Sequence, residues 1–124
     1  MRKREETIIH IEPENLIPSI RERSEDGWRL VQIGCAQVEE MFEITYSFDR
    51  NLEMEHLRIS IGPEQEISSI SLVYLAAFVY ENEIVDLYGI PIRGIAIDYK
   101  GNFIRTSVPH PFRAPVTVTR GGQE

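Results

Sequence analysis

The residues with the most capacity for chemistry are three carboxylates, Glu81, Glu83 and Asp86, crowded into one short stretch, and the hydroxyls Ser68, Ser69 and Ser71 ahead of them. Closely spaced carboxylates can work as an acid–base pair if a pocket keeps one protonated and the other ionised. They can equally accept Arg or amide donors across an interface. On a helix Glu83 and Asp86 share a side while Glu81 points elsewhere, and near a helix C-terminus all three oppose the local dipole. A chain of 124 residues has little room for a catalytic pocket beside its core, which leaves two readings open, the solvated end of an amphipathic helix or pairing across an interface. The basic tail of the same chain is one source of partners. The serines sit in no GxSxG elbow and precede an apolar run, which marks them as caps of a helix start.

The remaining candidates are weaker. His10, His56 and His110 are far apart and form no HExxH or other ligand spacing, so they read as structural or solvent-facing; His56, on a strand, could face Cys35 or Arg58. Cys35 is the only cysteine, which excludes an intrachain disulfide and a cysteine-based zinc or iron–sulfur site. It lies in an apolar strand, where burial raises the thiol pKa and makes it inert. Its solitary state suits a reducing, intracellular setting. The glycines match neither GxGxxG nor the P-loop, so no nucleotide fingerprint is present.

The elements that must position these residues follow from periodicity. Thr7–Ile11 reads as a short strand after a charged, frayed start. Residues 13–26 read as a helix with Ile17, Ile20 and Leu16 inward, Pro18 in its first turn and Gly27 at its end. Trp28–Val38, Met41–Asp49 and Met54–Ile61 read as a three-stranded antiparallel meander. In its middle strand Phe42, Ile44, Tyr46 and Phe48 alternate with Glu43, Thr45 and Ser47. Ser68–Leu87 reads as one long helix of about 20 residues. Ile70, Val73, Ala77, Ile84 and Tyr88 recur on one face, and Leu72, Leu75, Ala76 and Val79 add a second apolar face. Such an element is expected to lie between the sheet and a partner or the chain's own tail. Gly89 stops it. Beyond lie at most two short strands, Gly94–Tyr99 and Phe103–Thr106, in a proline-punctuated segment easier to explain across another protein. The expected class is α+β: an N-terminal helix, a meander of three or possibly four strands, a long C-terminal helix and an extended tail, with a compact domain at 1–94 and a partner-binding tail at 95–124.

Composition narrows the function. The net charge of −7, from 13 basic and 20 acidic residues, argues against nucleic-acid binding, which needs cations to neutralise phosphates. Residues 89–120 nevertheless carry Arg93, Lys100, Arg105, Arg113 and Arg120 against Asp98 alone, a basic segment on an acidic body. The start of the chain has no apolar signal region, and the longest apolar run, Leu72–Tyr80, is too short for a bilayer span.

The segment Tyr80–Gly94, YENEIVDLYGIPIRG, resembles the signature of the 30-kDa subunit family of respiratory complex I and its hydrogenase relatives, a pattern near W-E-R-E-[VI]-x-D-[LM]-[FY]-G-[IV]-x-F-x-G. Glu81, Glu83, Ile84, Asp86, Leu87, Tyr88, Gly89, Ile90 and Gly94 are in register, and Ser69, Ile70, Ser71, Tyr74 and Ala77 match the family's lead-in. Tyr80, Asn82 and Ile92 depart from it, and the H-P-D-L-R-R stretch of the quinone-reducing enzymes is replaced by Ile95–Lys100. The shortness of the chain and that loss make it most similar to the small cofactor-free subunit of energy-converting (Ech-type) membrane-bound [NiFe] hydrogenase. The resemblance implies a peripheral subunit on the cytoplasmic face of the membrane that binds no cofactor itself. Its partners would be the large [NiFe] (49-kDa-like) subunit, the small [4Fe–4S] subunit and the membrane subunits. Glu81, Glu83, Asp86, Tyr88, Gly89, Arg93, Arg105 and Arg113 would form the interface. A shortened subunit of an NADH or F420H2:quinone oxidoreductase is the alternative, and a free-standing enzyme with an acidic site a more distant one.

Overall fold

A computed structural model describes residues 5–100, 103 and 109–114. The chain forms an α+β fold around one sheet. Strand β1 (Glu5–His10) leads through a 3-10 turn (Pro13–Asn15) into helix α1 (Leu16–Glu25), with Pro18 in its first turn, where the ring costs no intrahelical bond. Strands β2 (Arg29–Val38), β3 (Met41–Arg50) and β4 (Glu53–Ile61) follow as the meander. The connections are two-residue turns, one with Glu39 and the other with Asn51 at φ 58°. The sheet order is β1-β4-β3-β2, so the first strand adds to the last, in parallel. A two-residue strand β5 (Ile67–Ser68), helix α2 (Ala77–Tyr88) and a two-residue strand β6 (Ile92–Arg93) complete the fold, β5 and β6 pairing in parallel.

Period-2 alternation gives the sheet one apolar face. Phe42, Ile44, Tyr46 and Phe48 of β3 meet Leu57, Ile59 and Ile61 of β4, and all are buried with Leu16 and Ile20 of α1 and Ala77 and Ile84 of α2. Each buried Leu, Ile or Phe among them stabilises the fold by about 1.5–3 kcal/mol relative to exposure. Both helices therefore cover the same face. The other face carries Glu43, Thr45, His56 and Arg58, the polar surface usual in an antiparallel meander.

Two expectations need correction. The long helix does not start at Ser68: α2 begins at Ala77, and residues 71–76 form turns. Val73, Ala77, Phe78 and Val79 N–H donate three residues back instead of four, so the α-helical ladder is not continuous over this stretch, and the amides at its start bond elsewhere. Ile67 N–H donates to Pro91 O at 3.1 Å, Ser69 N–H to Arg93 O at 2.8 Å, and Ile70 N–H to the Glu81 carboxylate at 2.8 Å. Local bonds such as Tyr74 N–H to Ile70 O keep a helix-like spacing in the turns, which is why the pattern reads as continuous helix. Likewise residues 94–99 form no strand; the pairing falls on Ile92–Arg93 instead. Of the expected strand at 103–106, only Phe103 is among the described residues, its ring 4.9 Å from that of Tyr99.

Candidate functional site

The late start of α2 changes the setting of its carboxylates. Glu81 lies in the N-terminal half of the helix rather than near its C-terminus, so the dipole argument against it lapses. It is only 1% exposed and aims at the preceding turn. One oxygen accepts from Ile70 N–H at 2.8 Å and the other from Ser69 Oγ–H at 2.5 Å. Burial raises its pKa above the ordinary carboxylate value, and the donors Ser69 and Ile70 partly counter that. Ser69 Oγ also accepts from Ser71 N–H, and Ser71 Oγ accepts from Ala96 N–H. The serines thus brace a loop around Glu81 and leave the helix N-cap to Ala76, which makes no side-chain cap.

This bracing presents an apolar knuckle. Leu72 is 86% and Leu75 60% exposed, although they sit one turn from buried Ile70 and Ala77. Tyr74, between them, points inward and donates its hydroxyl to Trp28 O at 2.7 Å. The second apolar face read from the sequence therefore reaches the surface here.

The C-terminal end of α2 is held by residues far along the chain. Gly89 caps it in the left-handed region at φ 73°, its N–H bonded to Val85 O. The His110 ring lies on Gly89: an added Cβ would fall 2.8 Å from His110 Cδ2. His110 Nδ1 is 3.2 Å from Asp86 O, which puts the proton on Nδ1, and Phe112 N–H donates to Leu87 O at 2.7 Å. Two carbonyls at the helix end thereby gain donors. Tyr88 stands edge-on between Phe42 and Phe112, and its hydroxyl donates to Cys35 O. Residues 110–114 thus run as a strap over the helix end, fastened further by the Gln37 side chain, which bonds both Ala114 N–H and O.

Of the residues expected at an interface, Glu81 and Asp86 are buried and Glu83, Tyr88 and Gly89 are half-buried. Arg93 is exposed and reaches Glu66 and Ser68, while Arg113 reaches Pro63 O at 2.7 Å, Glu64 at 3.4 Å and the face of Phe42. The basic segment thus engages Glu64 and Glu66 ahead of α2. Arg105 lies outside the described residues. Asn82, a departure from the family pattern, is buried and donates to Phe78 O and Ile97 O while accepting from Tyr99 N–H. No sequence signal marks that role, because its partners lie in an unpatterned segment.

His56 does not face Cys35. It is on the polar face, with Nδ1 2.7 Å from Ser47 Oγ and Nε2 3.0 Å from Glu6, whereas Cys35 is on the helix side. A carboxylate, imidazole and hydroxyl in line invite a nucleophile reading, but Ser47 is buried on an open sheet face with no pocket against it among the described cavities. Burial alone pushes the Cys35 thiol up to about 12. Among the described residues no group of three His, Cys, Asp or Glu side chains is placed to hold a metal ion, and no helix is long and apolar enough to cross a membrane.

The comparisons with known proteins agree with this anatomy. The chain superimposes, over 89% of its length and 69% of the other's, on a chain of an archaeal respiratory membrane complex, the membrane-bound sulfane sulfur reductase, with a TM-score of 0.76 at 16% identity. At that identity the likeness speaks for the fold. No curated protein matches the sequence. Residues 9–120 match the family described as the 30 Kd subunit of respiratory-chain NADH dehydrogenase, which takes in both helices, most of the sheet and the strap. The chain belongs to the family of the 30-kDa subunit of respiratory-chain NADH dehydrogenase.

Proposed function

We propose that the protein is a non-catalytic accessory subunit of a membrane-bound, ferredoxin-linked energy-converting [NiFe] hydrogenase, where it binds and positions the large catalytic subunit. The observation that carries this reading is the knuckle of Leu72 and Leu75, large apolar side chains held out into solvent by a braced loop beside the family signature. Leaving such side chains in water costs the free chain about 1.5–3 kcal/mol each relative to burial, which a partner surface would recover. Glu83, Arg93 and Arg113 would meet the partner directly; Glu81, Asp86, Tyr88 and Gly89 would hold the surface in shape, and Arg105 would add to the basic tail at 95–124. The chain itself would carry no cofactor. The [NiFe] centre and [4Fe–4S] clusters would belong to the large and small subunits, and the whole would sit at the cytoplasmic face of the membrane beside the membrane subunits.

A second reading has its own support. The similar fold in the sulfane sulfur reductase makes a sulfur-reducing complex of the same architecture the main competitor, with an NADH or F420H2:quinone oxidoreductase behind it. Purifying the tagged protein from detergent-solubilised native membranes, identifying its partners by mass spectrometry and assaying hydrogen evolution with reduced methyl viologen separates them. A nickel–iron large subunit with hydrogen activity supports the first reading. Partners with polysulfide- or quinone-reducing activity and no hydrogen evolution transfer the chain to the second.

A further inference from the structure

The two edges of the sheet differ. At the β2 edge Tyr80 donates its hydroxyl to Val31 O and Tyr88 to Cys35 O, each at 3.0 Å, so α2 occupies carbonyls that another strand would use. A register shift between Leu30 and Gln32 also breaks the regular spacing there. β1 forms the opposite edge, and among the described residues no strand pairs along its outer side. It pairs with β4 in unbroken register from Glu5 to His10, and Ile11 N–H continues the ladder to Arg58 O at 3.0 Å. Alternate residues of a strand address opposite neighbours. Thr7, Ile9 and Ile11 therefore bond β4, while Glu6, Ile8 and His10 turn N–H and C=O outward. Glu6, Thr7, Ile8 and His10 are all exposed, Ile8 by 51%, so neither face is overlaid at the middle of the strand.

The side chains of this edge complement their own reversal. Glu6, Ile8 and His10 are in register with Met54, His56 and Arg58, which places all three on the open face of the sheet. Laid antiparallel against itself with Ile8 opposite Ile8, the strand sets Glu6 against His10 and His10 against Glu6. The same three residues direct their backbone groups outward, so each facing pair exchanges both bonds and the ladder holds about six N–H···O bonds. Facing side chains then stand about 4.5–5.5 Å apart at Cβ, within reach for an imidazole N–H to donate to a carboxylate and for the two isoleucines to cover each other. His56 Nε2 engages only Oε1 of Glu6, at 3.0 Å, which leaves Oε2 for that donor. The His10 ring has no hydrogen-bond partner among the described residues. A slip of two residues, the next register of the same parity, sets Glu6 against Ile8 or against Glu12, so the central register is the one selected. Continued by sequence number, it also sets Arg4 opposite Glu12.

We propose that the β1 edge is a self-association surface, where two copies of this chain join antiparallel about Ile8 and their four-stranded sheets continue into one. The backbone ladder supplies the affinity, and the order carboxylate, isoleucine, imidazole fixes the partner and the register. One patch serves both copies, as a two-fold contact requires. A single strand buries little area, so the dimer is reversible and grows with concentration. The inference goes beyond the reading of the chain as an accessory subunit and does not rest on it.

The test is sedimentation velocity on the purified full chain over a range of concentrations, with Ile8→Pro, His10→Glu and Glu6→Lys in parallel. Proline at position 8 removes only an outward N–H, so the β1–β4 ladder persists, and His10→Glu alters an exposed side chain; circular dichroism checks that each variant keeps the fold. The expected result is a monomer–dimer equilibrium whose Kd rises at least about tenfold in Ile8→Pro and in His10→Glu. His10→Glu sets carboxylate against carboxylate in its own dimer, and Glu6→Lys sets ammonium against imidazole. Mixing these two variants restores opposite partners at both ends, so the mixture should dimerise where neither does alone. A chain that stays monomeric up to about 1 mM overturns the inference. So does a dimer that ignores these substitutions, which joins through another surface such as the Leu72–Leu75 knuckle. Slowed amide exchange at Ile8 and His10 in a native complex holding one copy overturns it in favour of a strand from another protein. The subunit reading stands or falls separately, on the partners recovered from membranes.

Discussion

Replacing Gly89 by alanine separates two costs that meet at one atom. The first is conformational: φ of 73° lies in the left-handed region, where a Cβ costs about 1–2 kcal/mol, offset in part by the lower entropy of the unfolded alanine chain. The second is steric: the new Cβ falls 2.8 Å from His110 Cδ2 and 2.9 Å from Cγ, so the ring must leave the helix end. That releases the bond to Asp86 O and loosens the neighbouring contact of Phe112 with Tyr88, about 1 kcal/mol for an exposed segment. The sum is about 2–3 kcal/mol, or roughly 8–12 °C in Tm for a chain of this size. The assay is a double-mutant cycle of Gly89→Ala and His110→Ala, with urea unfolding followed by circular dichroism. With His110 removed, Gly89→Ala should cost only the backbone part, giving a coupling of about 1 kcal/mol. Equal costs in both backgrounds would refute the strap as a contact of the folded chain in solution.

Glu81→Ala removes both acceptors from the 69–71 loop and should cost about 2–4 kcal/mol, whereas Glu81→Gln, which keeps one acceptor and buries no charge, should cost less; chemical denaturation ranks them. Burial holds the Glu81 pKa above its unfolded value of 4.5, so the folded chain binds the proton more tightly. Its contribution is therefore fully present below that value and is lost as pH rises through the raised folded pKa, a slope that Glu81→Gln should remove from the stability profile. Asn82→Ala should release residues 97–99 and cost about 1–3 kcal/mol, with faster amide exchange at Tyr99 as the check. Tyr80→Phe with Tyr88→Phe should bare the β2 edge, costing about 0.5–1.5 kcal/mol per hydroxyl and promoting self-association in sedimentation runs.

The sheet was legible because its alternation has no competing interpretation: Phe42, Ile44, Tyr46 and Phe48 can share only one face of a strand, and all four are buried. The extent of α2 was not, because turns closed by i→i−3 and i→i−4 bonds over 70–77 carry the same apolar spacing as a helix. What interrupts the helix is the bonding over 73–79, where Val73, Ala77, Phe78 and Val79 N–H donate to the carbonyl three residues back rather than four. The carboxylates were hard to assign because of a tertiary bond, Glu81 to Ile70 N–H, between residues 11 apart. Sequence marks Glu81 and Asp86 as charged and hence surface-bound, whereas the fold buries both. Family resemblance located the signature correctly, but the position of His110 on Gly89 depends on a chain reversal across a proline-punctuated segment with no periodicity to read.

The central claim, a subunit whose exposed knuckle seats on a catalytic partner, is tested most directly by crosslinking at the knuckle. A photoreactive amino acid placed at Leu72 or Leu75 in the tagged chain should, on illumination of native membranes, crosslink to the nickel–iron large subunit, while the same probe at exposed Leu52 on the β3–β4 turn should not. Crosslinking from Leu52 alone, or no partner from any position, would contradict the account.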